Sequence, residues 1–118
     1  MGSAFIATNE ANAEQAYKQA IVDYASADIV NSNLFTGVHG NYLRPSIVAA
    51  GLDPDKLPDG DVSSMNFGSG GDTSAKAWKD IWGCGQGIGA VKAVMPTADM
   101  VARLQREYQA ARARLLAA

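Results

Sequence analysis

The sequence predicts a predominantly α-helical chain, and three observations carry that expectation. Apolar residues recur at steps of three and four over residues 10–25. They do so again over residues 97–118, and this is the spacing that lays side chains along one face of an α-helix. The third is composition: 47% apolar and 19% charged residues in 118 are the proportions of a chain that packs a core rather than of a disordered segment.

Met1 to Ala7 is a short apolar stretch, after which Thr8 or Asn9 offers a side-chain oxygen to the free amides of a helix start. A helix is expected over 9–26, with Ala13, Tyr17, Ala20, Ile21 and Tyr24 as its packing stripe. Asp28 to Phe35 carries Ile-Val and Leu-Phe pairs, which allows a brief extended segment before a loop. Pro45 suits the first turn of a short helix through Ala50, because its missing N–H would be unpaired there, and Gly51 is placed to stop it. Residues 51–72 hold Pro54, Pro58, Gly60, Gly68, Gly70, Gly71 and five aspartates, a density of breakers that predicts a long loop within a loop-rich stretch over 27–72. Over 73–95 a helix capped by Asp72 or Thr73 would carry Trp78, Ile81 and Trp82 on one face and end at Gly83, followed by a glycine-rich loop. Thr97 is the expected cap of the last helix, over 96–118, with Met100, Val101, Leu104, Tyr108, Ala111 and Leu115 as a continuous stripe. No internal repeat of fixed period is visible, which sets solenoids and propellers aside.

Charge excludes some partners. Ten Lys and Arg against twelve acids, net −2, provide no basic field for a nucleic acid. The basic run Arg103, Arg106, Arg112 and Arg114 contains Glu107 and reads as a solvated helix face. No apolar run reaches the roughly 20 residues of a membrane span, and a lone cysteine, Cys84, fits a reducing compartment, so a soluble cytoplasmic protein is expected.

The residues with chemical potential are few. Glycine stands at every second position of Gly83-Cys84-Gly85-Gln86-Gly87-Ile88-Gly89, a pattern suited either to backbone amides approaching a ligand or to tight packing against another element. Gly85, Gly87 and Ala90 fit a dinucleotide-binding pattern, but the preceding element reads as a helix and no acid follows at the required distance. Phe67-Gly68-Ser69-Gly70-Gly71 does not make a nucleophile elbow. His39 is the only histidine; with Cys84 it offers too few soft ligands for zinc, and it reads as an acid–base group or a loop hydrogen-bonding residue. Cys84 lacks a neighbouring base in sequence and reads as a packing residue rather than a nucleophile.

Several segments together resemble one family. Met1-Gly2-Ser3-Ala4-Phe5-Ile6-Ala7-Thr8 followed by Glu10, Asn33-Leu34-Phe35-Thr36-Gly37, Asn41-Tyr42-Leu43-Arg44-Pro45-Ser46-Ile47, Met65-Asn66-Phe67-Gly68, and Trp78-Lys79-Asp80-Ile81-Trp82-Gly83-Cys84-Gly85-Gln86-Gly87 are similar to the C-terminal portion of nitronate monooxygenases, also called 2-nitropropane dioxygenases. These are FMN-containing (β/α)8 barrels that bind phosphate near the last two strands.

The resemblance implies an α/β chain by descent. Residues 1–8 would be the end of the last barrel strand, giving a mainly helical chain with one short N-terminal strand, and the rest the family's C-terminal helical cap. It implies FMN as cofactor, with Gly2 and Ser3 at its phosphate and Gly85 and Gln86 closing over the flavin, and oxidative denitrification of small alkyl nitronates as the intact enzyme's reaction. His39 does not match the family's histidine base, and the upstream barrel strands have no counterpart here, so no catalytic residue is assigned and the chain alone is not expected to turn over. A homo-oligomer or a companion barrel chain is the implied partner. Two alternatives stand beside this reading: part of a flavin-dependent quinone or enoyl reductase, and a free-standing small-molecule-binding or oligomerisation module without catalysis.

Overall fold

The computed structural model of the chain describes residues 1–59 and 79–118. Among the described residues four α-helices, α1 (Gly2–Ile6), α2 (Gln15–Asp23), α3 (Arg44–Ala49) and α4 (Thr97–Ala117), outweigh two strands, β1 (Ile29–Ser32) and β2 (Gly40–Leu43). Single 3-10 turns occupy Ser26–Asp28 and Gln86–Ala90. The mainly helical expectation holds, but the strand lies elsewhere. Residues 2–6, expected as the end of a strand, form helix α1, and the extended segment expected between Asp28 and Phe35 is β1. A strand needs a ladder partner, and the bridge at this end of the chain is isolated, at Thr8 to Met95. The preceding residues turn on themselves instead, Ala7 N–H donating to Ser3 O at 3.4 Å and Thr8 Oγ1 to Phe5 O at 2.7 Å.

The helix expected over 9–26 is shorter, starting at Gln15. Asn9 and Glu10 are held across the chain: Asn9 N–H donates to Met95 O at 3.0 Å, and the Glu10 carboxylate accepts from Thr97 N–H at 2.8 Å and Thr97 Oγ1 at 2.7 Å. Glu10 thereby caps α4, placing an anion where the helix exposes unpaired amides. Thr97, expected as the cap, is the first helical residue, Pro96 stands at the N-cap position, and Thr97 donates to the Glu10 carboxylate. These hydrogen bonds lower the Glu10 pKa, the Thr97 hydroxyl contributing most.

β1 and β2 pair antiparallel with Ile29 opposite Leu43 and Ser32 opposite Gly40. Their connection turns at Gly37, whose φ of 74° is the left-handed conformation glycine adopts at little cost. β2 runs directly into α3, which has Pro45 in its first turn as expected. Gly51, at φ 85°, ends it in a paired C-terminal motif: its N–H donates to Val48 O at 2.9 Å and that of Leu52 to Ile47 O at 3.2 Å. The expected cap at Asp72 or Thr73, the position of Trp78 and most of the long glycine-rich stretch lie outside the described residues.

Downstream of residue 79 the chain returns to β2. Leu43 N–H donates to Trp82 O at 2.8 Å and Cys84 N–H to Asn41 O at 3.1 Å, with Gly83 bridging Tyr42. Buried Ser46 stitches the junction, its Oγ donating to Leu43 O at 2.7 Å and accepting from Trp82 N–H at 3.0 Å. Around this seam lies the core, Ala7, Ala20, Ile21, Leu43, Ile88 and Val91, with Tyr17, Ile29 and Trp82 packed against it. Of the expected α2 stripe, Ala20 and Ile21 are buried and Tyr17 is half-buried.

Two measurements check this account. Ile21→Ala removes a side chain with no exposure and should lower unfolding free energy by about 2–5 kcal/mol in a urea titration; a change within error would show that the core is not built around α2. Folding lowers the Glu10 pKa, so its carboxylate stabilises the chain above the ordinary carboxylate range, and the contribution fades as pH falls through the lowered value. Thermal melts should show Glu10→Gln losing stability at neutral pH and converging on the parent protein in acid.

Candidate functional site

The glycine-rich turn is anchored from below. Ile88 is fully buried and Val91 nearly so, and the turn is closed by Ile88 N–H to Gly85 O at 3.3 Å and Val91 N–H to Ile88 O at 2.8 Å. Apolar residues pointing inward leave Gly85, Gln86, Gly87 and Gly89 exposed above them. On α1, Ser3 Oγ accepts a hydrogen bond of 2.7 Å from Gly85 N–H. Residues 82 positions apart therefore meet, and the four positions assigned to flavin by resemblance, Gly2, Ser3, Gly85 and Gln86, lie around one junction. In this bond Ser3 is the acceptor, so its own hydroxyl proton is still available to donate. Gly2 and Ser3 open α1, where no side chain caps the helix and the first amides have no intrahelical acceptor.

The glycines distinguish between the two explanations of their spacing. A Cβ at Gly85 would stand 3.3 Å from Ser3 Oγ, so close approach accounts for that glycine; Gly83 has only an ordinary 3.7 Å contact with Asn41 O. Among the described residues a Cβ at Gly2, Gly87 or Gly89 would meet no heavy atom within 4 Å, and the glycines with positive φ are Gly37 and Gly51. Among the described residues neither packing nor backbone conformation requires glycine at 2, 87 or 89. What those positions share is bare, exposed backbone, on α1 next to Ser3 or on the turn that Gly85 opens.

The single histidine sits on the β1–β2 hairpin. His39 is exposed, its Nδ1 lies 2.8 Å from Asn31 Oδ1, and Asn31 Nδ2 in turn donates to Asn41 Oδ1 at 3.0 Å. This is a loop hydrogen-bonding arrangement rather than part of the Ser3–Gly85 junction.

Cys84 is half-buried against the core, and burial pushes its thiol up to about 11. A reactive cysteine needs the opposite shift, so the packing role expected of Cys84 fits its surroundings. Tyr17 is the residue that sequence reasoning undervalued. Its ring stacks on Trp82 with centroids 5.3 Å apart and planes 4° from parallel, and its hydroxyl donates to Gly83 O. Burial, and secondarily Cys84, raises its phenol pKa. The helical stripe marked Tyr17 as packing, but no local pattern points to a carbonyl 66 residues away.

A groove of about 500 Å3 runs between α2 and α3, bordered by Ala20, Asp23 and Tyr24, by Pro45 and Ala49, and by Trp82. None of Gly2, Ser3, Gly85 and Gln86 lines it; the groove and the junction are separate places. Among the described residues no three His, Cys, Asp or Glu converge in a way that could hold a metal ion, and no helix is long and apolar enough to cross a membrane. No protein-family model, curated protein or solved structure matches the chain.

Alkylation of Cys84 tests its electrostatics. The rate with iodoacetamide should stay low at pH 8 and keep rising past pH 9, following a thiol of pKa about 11; a plateau reached near pH 9 would mean that Cys84 is solvated and free to act.

Proposed function

We propose that this chain is the C-terminal part of an FMN-dependent nitronate monooxygenase-like oxidoreductase, carrying one rim of the flavin site and inactive by itself. The observation that carries the reading is the hydrogen bond from Gly85 N–H to Ser3 Oγ. It brings together two short motifs that resemble the same family and that are far apart in the chain.

The residues present fit a phosphate-bearing cofactor. A phosphate needs converging N–H and O–H donors without Cβ obstruction. Gly2 and Ser3 present the first amides of α1, the Ser3 hydroxyl adds a third donor, and a side chain at Gly2 would find open space around it rather than protein. The N-terminus of a short extra helix is a recurrent phosphate site at the end of (β/α)8 barrels. The α-helical state of residues 2–6, although not the expected strand, suits that use. Gly85 and Gln86, exposed on the adjacent turn, would lie along the flavin.

When bound, the flavin would supply the redox chemistry for oxidative denitrification of an alkyl nitronate. This chain's own residues would position it: Gly2 and Ser3 hold the phosphate end, Ser3 fixes the glycine-rich turn through Gly85, and the bare backbone at Gly87 and Gly89 permits close approach. His39 and Cys84 are given no part in proton transfer, because the one sits on the hairpin and the other is held as a thiol. The proton-accepting group of the intact enzyme would come from a companion barrel.

An FMN titration of the purified chain, followed by flavin fluorescence, tests this. Saturable quenching is expected, with the dissociation constant raised about tenfold or more, roughly 1.4 kcal/mol, by Ser3→Ala combined with Gly2→Val. Quenching that does not saturate, or that is indifferent to both substitutions, would reject the flavin rim and leave a module without catalysis.

A further inference from the structure

We infer that α4 is a self-association element that pairs antiparallel with α4 of a second copy of this chain. The helix is 21 residues long, about 31 Å at 1.5 Å per residue. Among its residues only Met100 is buried. Beyond this anchor the apolar stripe leaves the body: Val101 is 50% exposed, Tyr108 65% and Leu115 78%. Val101, Leu104, Tyr108, Ala111, Leu115 and Ala118 alternate steps of three and four, the spacing of a two-helix seam rather than of a broad apolar face. A helix end that meets no packing partner among the described residues gains little from its own propensity, so the stripe calls for a cover.

Charge complementarity identifies the cover as a second α4. Opposing Leu104 to the partner's Leu115 also opposes Tyr108 to the partner's Ala111, a large residue against a small one, and Val101 to the partner's Ala118. In that register Glu107 flanks the seam beside the partner's Arg114, and by symmetry the pair occurs twice. Arg112 faces the partner's Gln105, so no like charges meet. Within one chain Glu107 already accepts from Arg103 Nε at 2.7 Å through Oε1, and its second oxygen remains for the partner's arginine. A parallel pair would set Tyr108 on Tyr108 and bring both bodies, attached at the Thr97 end, to the same end of the seam. The antiparallel pair sends them to opposite ends.

Sedimentation velocity of the whole chain over a concentration series tests the inference. Wild-type protein should shift from monomer to dimer as concentration rises, and Leu115→Glu, on an exposed side chain that the fold does not use, should remain monomeric with an unchanged circular dichroism spectrum. Glu107→Arg and Arg114→Glu should each raise the dissociation constant about tenfold or more, because like charges then face each other twice. The double variant should return to within a few fold of wild type. A wild type that stays monomeric throughout overturns the proposal, as does a monomer that binds anionic lipid vesicles through its arginines instead. Failure of the double variant to recover, or an Arg114→Glu protein that associates as well as wild type, overturns the antiparallel pairing.

Discussion

The segment Trp82-Gly83-Cys84 is the constraint on which the rest of the described structure depends. It joins the first 59 residues to those after 79 through four kinds of contact at once. Its backbone pairs with β2 at Asn41 and Leu43, its Trp82 amide is satisfied by Ser46, the Trp82 ring stacks on Tyr17, and the Gly83 carbonyl takes the Tyr17 hydroxyl. Each hydrogen bond contributes only about 0.5–1.5 kcal/mol net, but each would leave a polar group stranded at the edge of the core if lost. Satisfying them together fixes the direction in which the chain leaves Cys84. That direction carries Gly85 to Ser3.

The helices were readable from sequence where their signals are local. Pro45 and Gly51 bracket α3 because proline tolerates a first turn and glycine a left-handed exit. The stripe from Met100 to Leu115 announces α4 because period and length coincide. Errors arose where distant residues decided. The local pattern puts Glu10 inside a helix because nothing nearby shows that its carboxylate is committed to Thr97, and the resemblance implies a barrel edge for residues 2–6, to which the described chain gives no ladder.

The contact between Ser3 and Gly85 could not be read from the glycine spacing alone. Alternating glycines from 83 to 89 are compatible equally with packing and with ligand approach when seen only as letters. Placed in three dimensions they separate: a side chain at Gly85 would crowd Ser3, whereas among the described residues no neighbour or dihedral demands glycine at 87 or 89. Resemblance found Ser3 and Gly85 independently of each other, and the bond between them belongs to the fold, since nothing in either motif names the other as partner.

The protonated state of Cys84 has a practical consequence for spectroscopy. Maleimides and methanethiosulfonates select thiolates, and a thiol of pKa about 11 supplies very little thiolate at neutral pH. The native cysteine can therefore be left in place while a second one, introduced at exposed Val38 on the hairpin, is labelled selectively. A fluorophore or nitroxide there would report on the fold without filling the bare backbone beside Gly85 or altering the core.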